Sequence, residues 1–299
     1  MISDRAWADL LHTRAADPHA VAAAYANRRR RSSLLSDAGT VFLVAADHPA
    51  RGALAVGPDP LAMADRRDLL ERLLVALADP AVDGVLGTPD VIEELLLLDA
   101  LHDKVVIGSM NRGGLAGAGW EIDDRFTAYD PAAISEGRLD GGKMLLRIVD
   151  DDPGTVPTLQ ACAEAVSELA ALGLPAMVEP LPYRHDNGRL VLCDDAPALA
   201  RAVTVASGLG RTSAYTWLKL PATTPEVLNA TTLPVVVLGG RPSGDPAADL
   251  ATWGATLEHP VVRGLVVGRT LLYPPDGDVA AAVRAAASVL DDTTKARHA

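Results

Sequence analysis

Lys219 lies in the apolar run Ala214-Tyr215-Thr216-Trp217-Leu218-Lys219-Leu220-Pro221, a costly place for an ammonium unless it is paired or gives up its proton. Loss of the proton leaves a nucleophilic amine, the reagent that forms a Schiff base with a carbonyl compound. The run reads as a buried strand. On a strand Tyr215, Trp217 and Lys219 share one face, and Thr216, Leu218 and Leu220 share the other. Three more charged residues sit within or at the ends of apolar runs: Asp47 after Val41–Ala46, Lys143 at the head of Lys143–Val149, and Glu179 closing Ala176–Glu179. Forming and dehydrating a carbinolamine, then breaking a carbon–carbon bond, needs proton transfers beside the amine, which a carboxylate such as Glu179 can perform. A second cation such as Lys143 would favour the neutral form of Lys219 by like-charge repulsion. The same quartet would also serve as ion pairs knitting a protein interior, and residue types alone leave both roles open.

A second group has the makings of an anion site. Two apolar runs end in glycine and arginine, Leu238-Gly239-Gly240-Arg241 and Val267-Gly268-Arg269. Glycine lets backbone N–H groups approach an oxyanion closely, and Arg269 adds a charged fork. His48, beside Asp47, joins the substrate-binding candidates. Arg147 shares a strand face with Lys143, and Arg112 opens a glycine-rich stretch. Both could serve a carboxylate or a second anionic group. Metal chemistry finds no support: the seven histidines are scattered without HExxH or HxH spacing, and no GxSxG elbow is present.

Positioning these residues requires many short strands. Apolar runs at Val41–Ala46, Gly84–Gly87, Val105–Ser109, Lys143–Val149, Ala176–Glu179, Ala214–Leu220, Val235–Gly239 and Gly264–Val267 read as parallel strands covered on both faces. Amphipathic helices fall between them, near 60–79, 90–101, 155–172, 195–208, 225–230, 246–258 and 277–290. Thr88-Pro89, Asp130-Pro131, Thr224-Pro225 and Asp245-Pro246 each put a capping residue beside proline at a helix start. The alternation fits an α/β fold, a (β/α)8 TIM barrel with an N-terminal helical extension. A doubly wound open sheet is the other arrangement, but no GxGxxG follows an early strand. The expected organisation is an extension over 1–35, a barrel over 36–292 and a tail over 293–299. The basic run Arg28–Arg31 reads as a solvated helical face. The glycine-rich stretch 110–126 is expected either to cover substrate or to form an inert surface loop.

Composition bounds the setting. The net charge of −12 argues against nucleic acid and anionic membranes, and concentrates any anion recognition in one site. The two cysteines, Cys162 and Cys193, belong to no CxxC pattern, and the first residues lack the apolar core of a signal peptide. A cytoplasmic homo-oligomer acting on a small molecule is expected.

At Ala45-Ala46-Asp47-His48-Pro49, Lys143-Met144-Leu145-Leu146, Val178-Glu179-Pro180-Leu181-Pro182-Tyr183, Trp217-Leu218-Lys219-Leu220-Pro221, Val237-Leu238-Gly239-Gly240 and Val266-Val267-Gly268-Arg269, the sequence resembles the class I, Schiff-base aldolases of the deoxyribose-phosphate aldolase and tagatose-1,6-bisphosphate aldolase superfamily. It looks closest to the tagatose-bisphosphate type and an actinobacterial branch linked to it. The resemblance implies that Lys219 is the Schiff-base lysine, Glu179 an acid/base, Lys143 a second active-site lysine and Asp47 a strand-one aspartate near substrate. Gly239, Gly240, Gly268 and Arg269 match its phosphate cradle, and such enzymes use no metal or organic cofactor. Val235–Gly240 lacks the strand-seven lysine of deoxyribose-phosphate aldolases, so the resemblance does not point to deoxyribose phosphate. Arg147 and the 110–126 stretch also depart from the tagatose pattern. The expected activity is a lyase cleaving a phosphorylated ketose or keto-sugar acid. The alternatives are acyl transfer to a thiol through the same imine, and a sugar-phosphate-binding barrel without turnover.

Overall fold

A computed structural model of the chain describes residues 1–240 and 242–298, with side chains through residue 295. Among the described residues nine strands occur in chain order: β1 (Val41–Ala45), β2 (Gly84–Gly87), β3 (Val105–Ser109), β4 (Gly141–Ile148), β5 (Ala176–Asp186), β6 (Arg189–Leu192), β7 (Thr216–Pro221), β8 (Val235–Leu238) and β9 (Val262–Val267). All except β6 pair in parallel, β1 to β2 to β3 to β4 to β5 to β7 to β8 to β9, and β9 returns to β1. Eight parallel strands thus close into a (β/α)8 barrel. The helices are α1 (Asp4–Ala16), α2 (His19–Asn27), α3 (Arg66–Ala78), α4 (Pro89–Leu97), α5 (Pro131–Glu136), α6 (Thr155–Ala171), α7 (Ala196–Ser207), α8 (Pro225–Leu228), α9 (Pro246–Leu257), α10 (Arg269–Leu272) and α11 (Val279–His298). Each of the four proline start signals opens a helix, and the Asp130 and Asp245 side chains accept first-turn N–H bonds as expected of caps.

Strand alternation sorts the core into two. Val41, Leu43, Ala45, Leu86, Val105, Ile107, Met177, Val236 and Val266 fill the lower barrel interior, with Leu34, Leu35 and Trp217 packed against them. Neighbouring positions such as Phe42, Val44, Leu218 and Leu220 join the larger cluster between strands and helices. Lys219 therefore shares the inner face with Trp217. Tyr215 has the same parity but precedes the strand and is 41% exposed.

The fifth strand is longer than its apolar run suggests. β5 continues past Glu179 through Pro180 and Pro182 to Asp186, then turns back as antiparallel β6. The Ala176 N–H bonds to Tyr215 on the β7 side, and the Pro182 carbonyl accepts from Cys193 on that same side. By alternation Pro180 and Pro182 direct their missing donors there, beyond the last β5–β7 pair at Val178–Leu218, so no ladder bond is lost. The turn is Asn187-Gly188, with φ of 49° and 75°, the left-handed pair that a two-residue hairpin requires.

Two terminal readings are corrected. Arg28–Arg31 lies beyond the end of α2 and is not a solvated helical face. Arg28 is buried and bonds to the Lys104 carbonyl at 3.0 Å, the Arg138 carbonyl and Asp140 at 3.1 Å. Arg29 pairs with Asp103, Arg30 with Asp140 and Arg31 with Asp83, each an acid just before β3, β4 or β2. These arginines latch the N-terminal helices to the barrel floor. At the other end α11 runs unbroken through 293–298, its Thr293 and Thr294 hydroxyls bonding back one turn at 2.8 Å, so no separate tail begins at 293.

Asp140→Ala removes the carboxylate from Arg28, whose side chain is 1% exposed. The uncompensated buried cation should cost about 3–5 kcal/mol, read as a lowered urea midpoint at unchanged slope.

Candidate active site

Five charged side chains meet in the barrel interior. Lys219, from β7, places Nζ 3.0 Å from Glu179 Oε2 of β5, and the same oxygen lies 2.5 Å from Lys143 Nζ of β4. Lys143 Nζ is also 3.3 Å from Oδ2 of Asp47, which follows β1. Arg112, from the loop after β3, is 2.9 Å from that Asp47 oxygen. The sequence-derived quartet is therefore one connected cluster, with Arg112 at its far end and charges alternating in sign along it. Ser109, which sequence reading passed over, donates its hydroxyl to Asp47 Oδ2 at 3.0 Å. Its position at the end of β3, with the parity of Ile107, was the available signal.

Burial and charge oppose each other at every member. Burial alone would raise Asp47 and Glu179, but Arg112 and Lys143 outweigh it at Asp47, and Lys143 and Lys219 at Glu179. Asp47 is held well below the usual carboxylate range and Glu179 falls to about 2. Burial pushes Lys143 down to about 8 and Arg112 to about 10 against the pull of those carboxylates. His48 faces the cluster with Nδ1 3.8 Å from Asp47 Oδ1, and burial drives its pKa down to about 3.

Gly239 and Gly240 follow β8, which pairs with β7, and Gly268 follows β9, one strand farther round the barrel. A side chain at Gly268 would meet the Ala45 carbonyl at 2.6 Å and His48 Cε1 at 2.9 Å, and one at Gly239 would strike Val267. Bare backbone is thus imposed by packing at Gly239 and Gly268, and at Gly240 by a φ of 68°. Arg269 stands at the same rim, its Nη1 3.5 Å from the Ala55 carbonyl, and Arg241 lies outside the described residues. Among the described residues no group of three or more His, Cys, Asp or Glu side chains is placed to hold a metal ion.

The 110–126 stretch is tied down by side-chain-to-backbone bonds and by buried ion pairs. Asn111 bonds through both side-chain ends to Leu145, donating to its carbonyl at 2.6 Å and accepting its N–H at 2.8 Å. Arg51, from a 3-10 turn after β1, lies 2.5 Å from Asp124 and donates to the Asn111 and Gly114 carbonyls. Arg147, from β4, grips Glu121, the Gly114 and Glu121 carbonyls, and Asp124 at 3.5 Å. The Asp124 carboxylate is fully buried and also accepts the Gly114 N–H at 2.8 Å. Arg147 and Arg112, expected to face a substrate anion, are instead engaged by the loop and by Asp47. Arg51, Glu121 and Asp124 escaped the sequence reading, because a lone arginine in a short turn and acids in a glycine-rich loop carry no periodic signal.

The profile of the Cgl0159-like family matches residues 39–287. The chain belongs to the Cgl0159-like family. It is similar along its whole length to the crystal structure of Cgl0159 from Corynebacterium glutamicum, at 50% identity, with a TM-score of 0.95 over 98% of this chain and 99% of that one. Two more distant likenesses are to fructose-1,6-bisphosphate aldolases. One is Schiff-base-forming, with 17% identity and a TM-score of 0.66 over 90% of this chain and 99% of that chain. The other is archaeal, with 18% identity and a TM-score of 0.65 over 90% and 98%. At such identities these two share the barrel fold with this Cgl0159-like chain, and they do not single out the tagatose-bisphosphate type. Comparison with curated proteins finds no match. Among the described residues no helix is long and apolar enough to cross a membrane.

Two tests follow from the buried charges. The Glu179 carboxyl is depressed when folded, so its stabilisation is complete above its ordinary value near 4.5 and is lost as pH falls toward about 2. Glu179→Gln should therefore be less stable than wild type at pH 7, with the gap closing between pH 4.5 and 2 in urea titrations. Asp124→Ala strands two buried arginines, and should lower stability by about 3–5 kcal/mol and speed amide exchange across 113–126 ahead of the barrel strands.

Proposed function

We propose that this chain is a class I aldolase that cleaves a phosphorylated ketose through a Schiff base on Lys219. The observation that carries the reading is one carboxylate oxygen, Glu179 Oε2, held within 3.0 Å of Lys219 Nζ and 2.5 Å of Lys143 Nζ inside a closed barrel. A carbonyl compound entering from the open end meets an amine with a proton acceptor and a second proton-bearing group already in reach. The amine adds to the carbonyl, the carbinolamine loses water, and a protonated imine results. Glu179 then takes the proton from the hydroxyl on the carbon beyond the bond to be broken. That bond's electron pair flows into the imine, an aldehyde leaves, and the enamine is reprotonated and hydrolysed to free Lys219.

The glycine ends of β8 and β9, with Arg269, suit a phosphate close to β7. Fold likeness to the Schiff-base-forming fructose-1,6-bisphosphate aldolase supports the chemistry by analogy. The carboxylate pole of a keto-sugar acid was to rest on Arg147 and Arg112. With both arginines engaged by protein acceptors, the phosphorylated ketose is the substrate class retained. The two cysteines are free, which supports a reducing, cytoplasmic setting.

Borohydride reduction in the presence of ketose phosphates, beginning with dihydroxyacetone phosphate, should add the reduced ketose mass to the peptide containing Lys219. Lys219→Met should remove the adduct, and Glu179→Gln should lower turnover by about 10²–10⁴-fold with the imine still trappable. An unlabelled Lys219 across the whole set of ketose phosphates would sink the mechanism.

A further inference from the structure

Arg112 is hydrogen-bonded through two guanidinium nitrogens and ion-paired through the third. Nη1 donates to the Asp47 carbonyl at 2.7 Å, Nε donates to the Asn111 carbonyl at 2.9 Å, and Nη2 lies 2.9 Å from Asp47 Oδ2. With 5% of its surface exposed it has little to offer a substrate. Its position matters for another reason. Asp47 Oδ2 is shared by Arg112 at 2.9 Å, the Ser109 hydroxyl at 3.0 Å and Lys143 Nζ at 3.3 Å. Lys143 is the most distant of the three, and it lies closer to Glu179, at 2.5 Å. The groups facing Lys143 are Asp47 from the end of β1, Glu179 from β5, Lys219 from β7 and Arg112 from the loop after β3. That environment holds two carboxylates against two other cations.

We propose that Arg112 is a positioning residue: by occupying the near side of Asp47 it leaves Lys143 only a long contact there, turned toward Glu179 and Lys219 and able to exchange a proton during the imine cycle. The inference rests on the Schiff-base reading of Lys219. It assigns Lys143 the work of moving protons and Arg112 the work of keeping it available. Burial sets Lys143 at about 8, with Asp47 and Glu179 pulling it up and Arg112 and Lys219 pushing it down. Taking Arg112 away removes a repulsion and strengthens an attraction, so both changes raise Lys143. Removing the Ser109 hydroxyl frees Asp47 in the same direction by a smaller amount.

The test uses the full chain and dihydroxyacetone phosphate as probe. Enamine formation exchanges a carbon-bound hydrogen of this ketose with solvent, so exchange can be followed by NMR across pH without knowing the natural aldehyde. Borohydride trapping at Lys219 is measured in parallel. Wild type should show a limb in its exchange–pH profile near the Lys143 value of about 8. Arg112→Gln should move that limb upward by about one pH unit while the imine still traps, Ser109→Ala by less, and Arg112→Lys should move it back toward wild type. A rate lowered equally at every pH, with the limb unmoved, would mean that Arg112 only braces the loop and would overturn the proposal. If Arg112→Gln does not fold, the Ser109→Ala limb decides in the same way. Absence of a trapped imine in wild type would overturn the Schiff-base reading and this inference together, whereas trapping with unmoved limbs overturns this inference alone.

Discussion

Burying lysine beside lysine is the constraint on which the barrel mouth depends. Lys143 and Lys219 are 2% and 5% exposed, and neither could stay in that interior without the carboxylate between them. Glu179 answers both through a single oxygen, Asp47 answers Lys143 from the other side, and Arg112 and Ser109 answer Asp47. Each member satisfies its neighbour, and the strands that carry them are too well covered to let one withdraw. The arrangement also suits the chemistry proposed. A protonated imine bears the same unit charge as an ammonium at nearly the same place, so Glu179 faces it without rearranging the surrounding dipoles. Such preorganisation is where electrostatic catalysis gains most.

The loop above the site solves a different problem. A segment rich in glycine has few side chains to bury, and two of its larger apolar ones, Leu115 and Trp120, are 41% and 59% exposed. Hydrophobic burial fixes only its ends, through Met110, Ile122 and Phe126. Ionic and carbonyl contacts hold the rest, with Arg51 reaching in from the first strand end and Arg147 from the fourth to converge on Asp124. Buried ion pairs add little net stability against an apolar equivalent, but they specify geometry. Here they specify where a backbone with few preferences must lie. Arg112 belongs to the same loop yet reaches Asp47, so one stretch of chain joins the loop's ionic contacts to the buried charged cluster.

Much of this was legible in the residues. Continuous apolar runs marked the eight parallel strands, prolines beside caps marked helix starts, and strand parity turned Lys219 inward beside Trp217. What escaped has physical reasons. Proline after Glu179 argues against a strand unless its missing donor faces an unpaired edge, and that edge exists only because the β5–β7 pairing ends at Val178–Leu218. The Asn187-Gly188 turn was a readable hairpin signal that the prolines obscured. The arginines were harder. Arg28, Arg51, Arg112 and Arg147 look alike in sequence, and a free anion-binding cation differs from a structural one only in its partners. Apart from the Asn111 carbonyl beside Arg112, those partners lie 23 to 112 residues away.

The extended fifth strand gives the mouth a shape that eight equal strands would not. β6 pairs with β5 on the side that β7 occupies lower down, and β7 ends at Pro221, two residues past Lys219. The hairpin therefore continues the barrel wall above the lysine, where β7 itself has run out. On the other flank of β7, the wall stays low and is bare of side chains at Gly239 and Gly240. Lys219 thus lies between a raised hairpin on one side and a glycine rim on the other, and on the proposed function a ligand joined to it would meet both. Steric height and backbone access would both direct the anionic end of that proposed ligand toward β8 and β9. The direction of binding then follows from unequal strand lengths around one amine, before any charged contact is made.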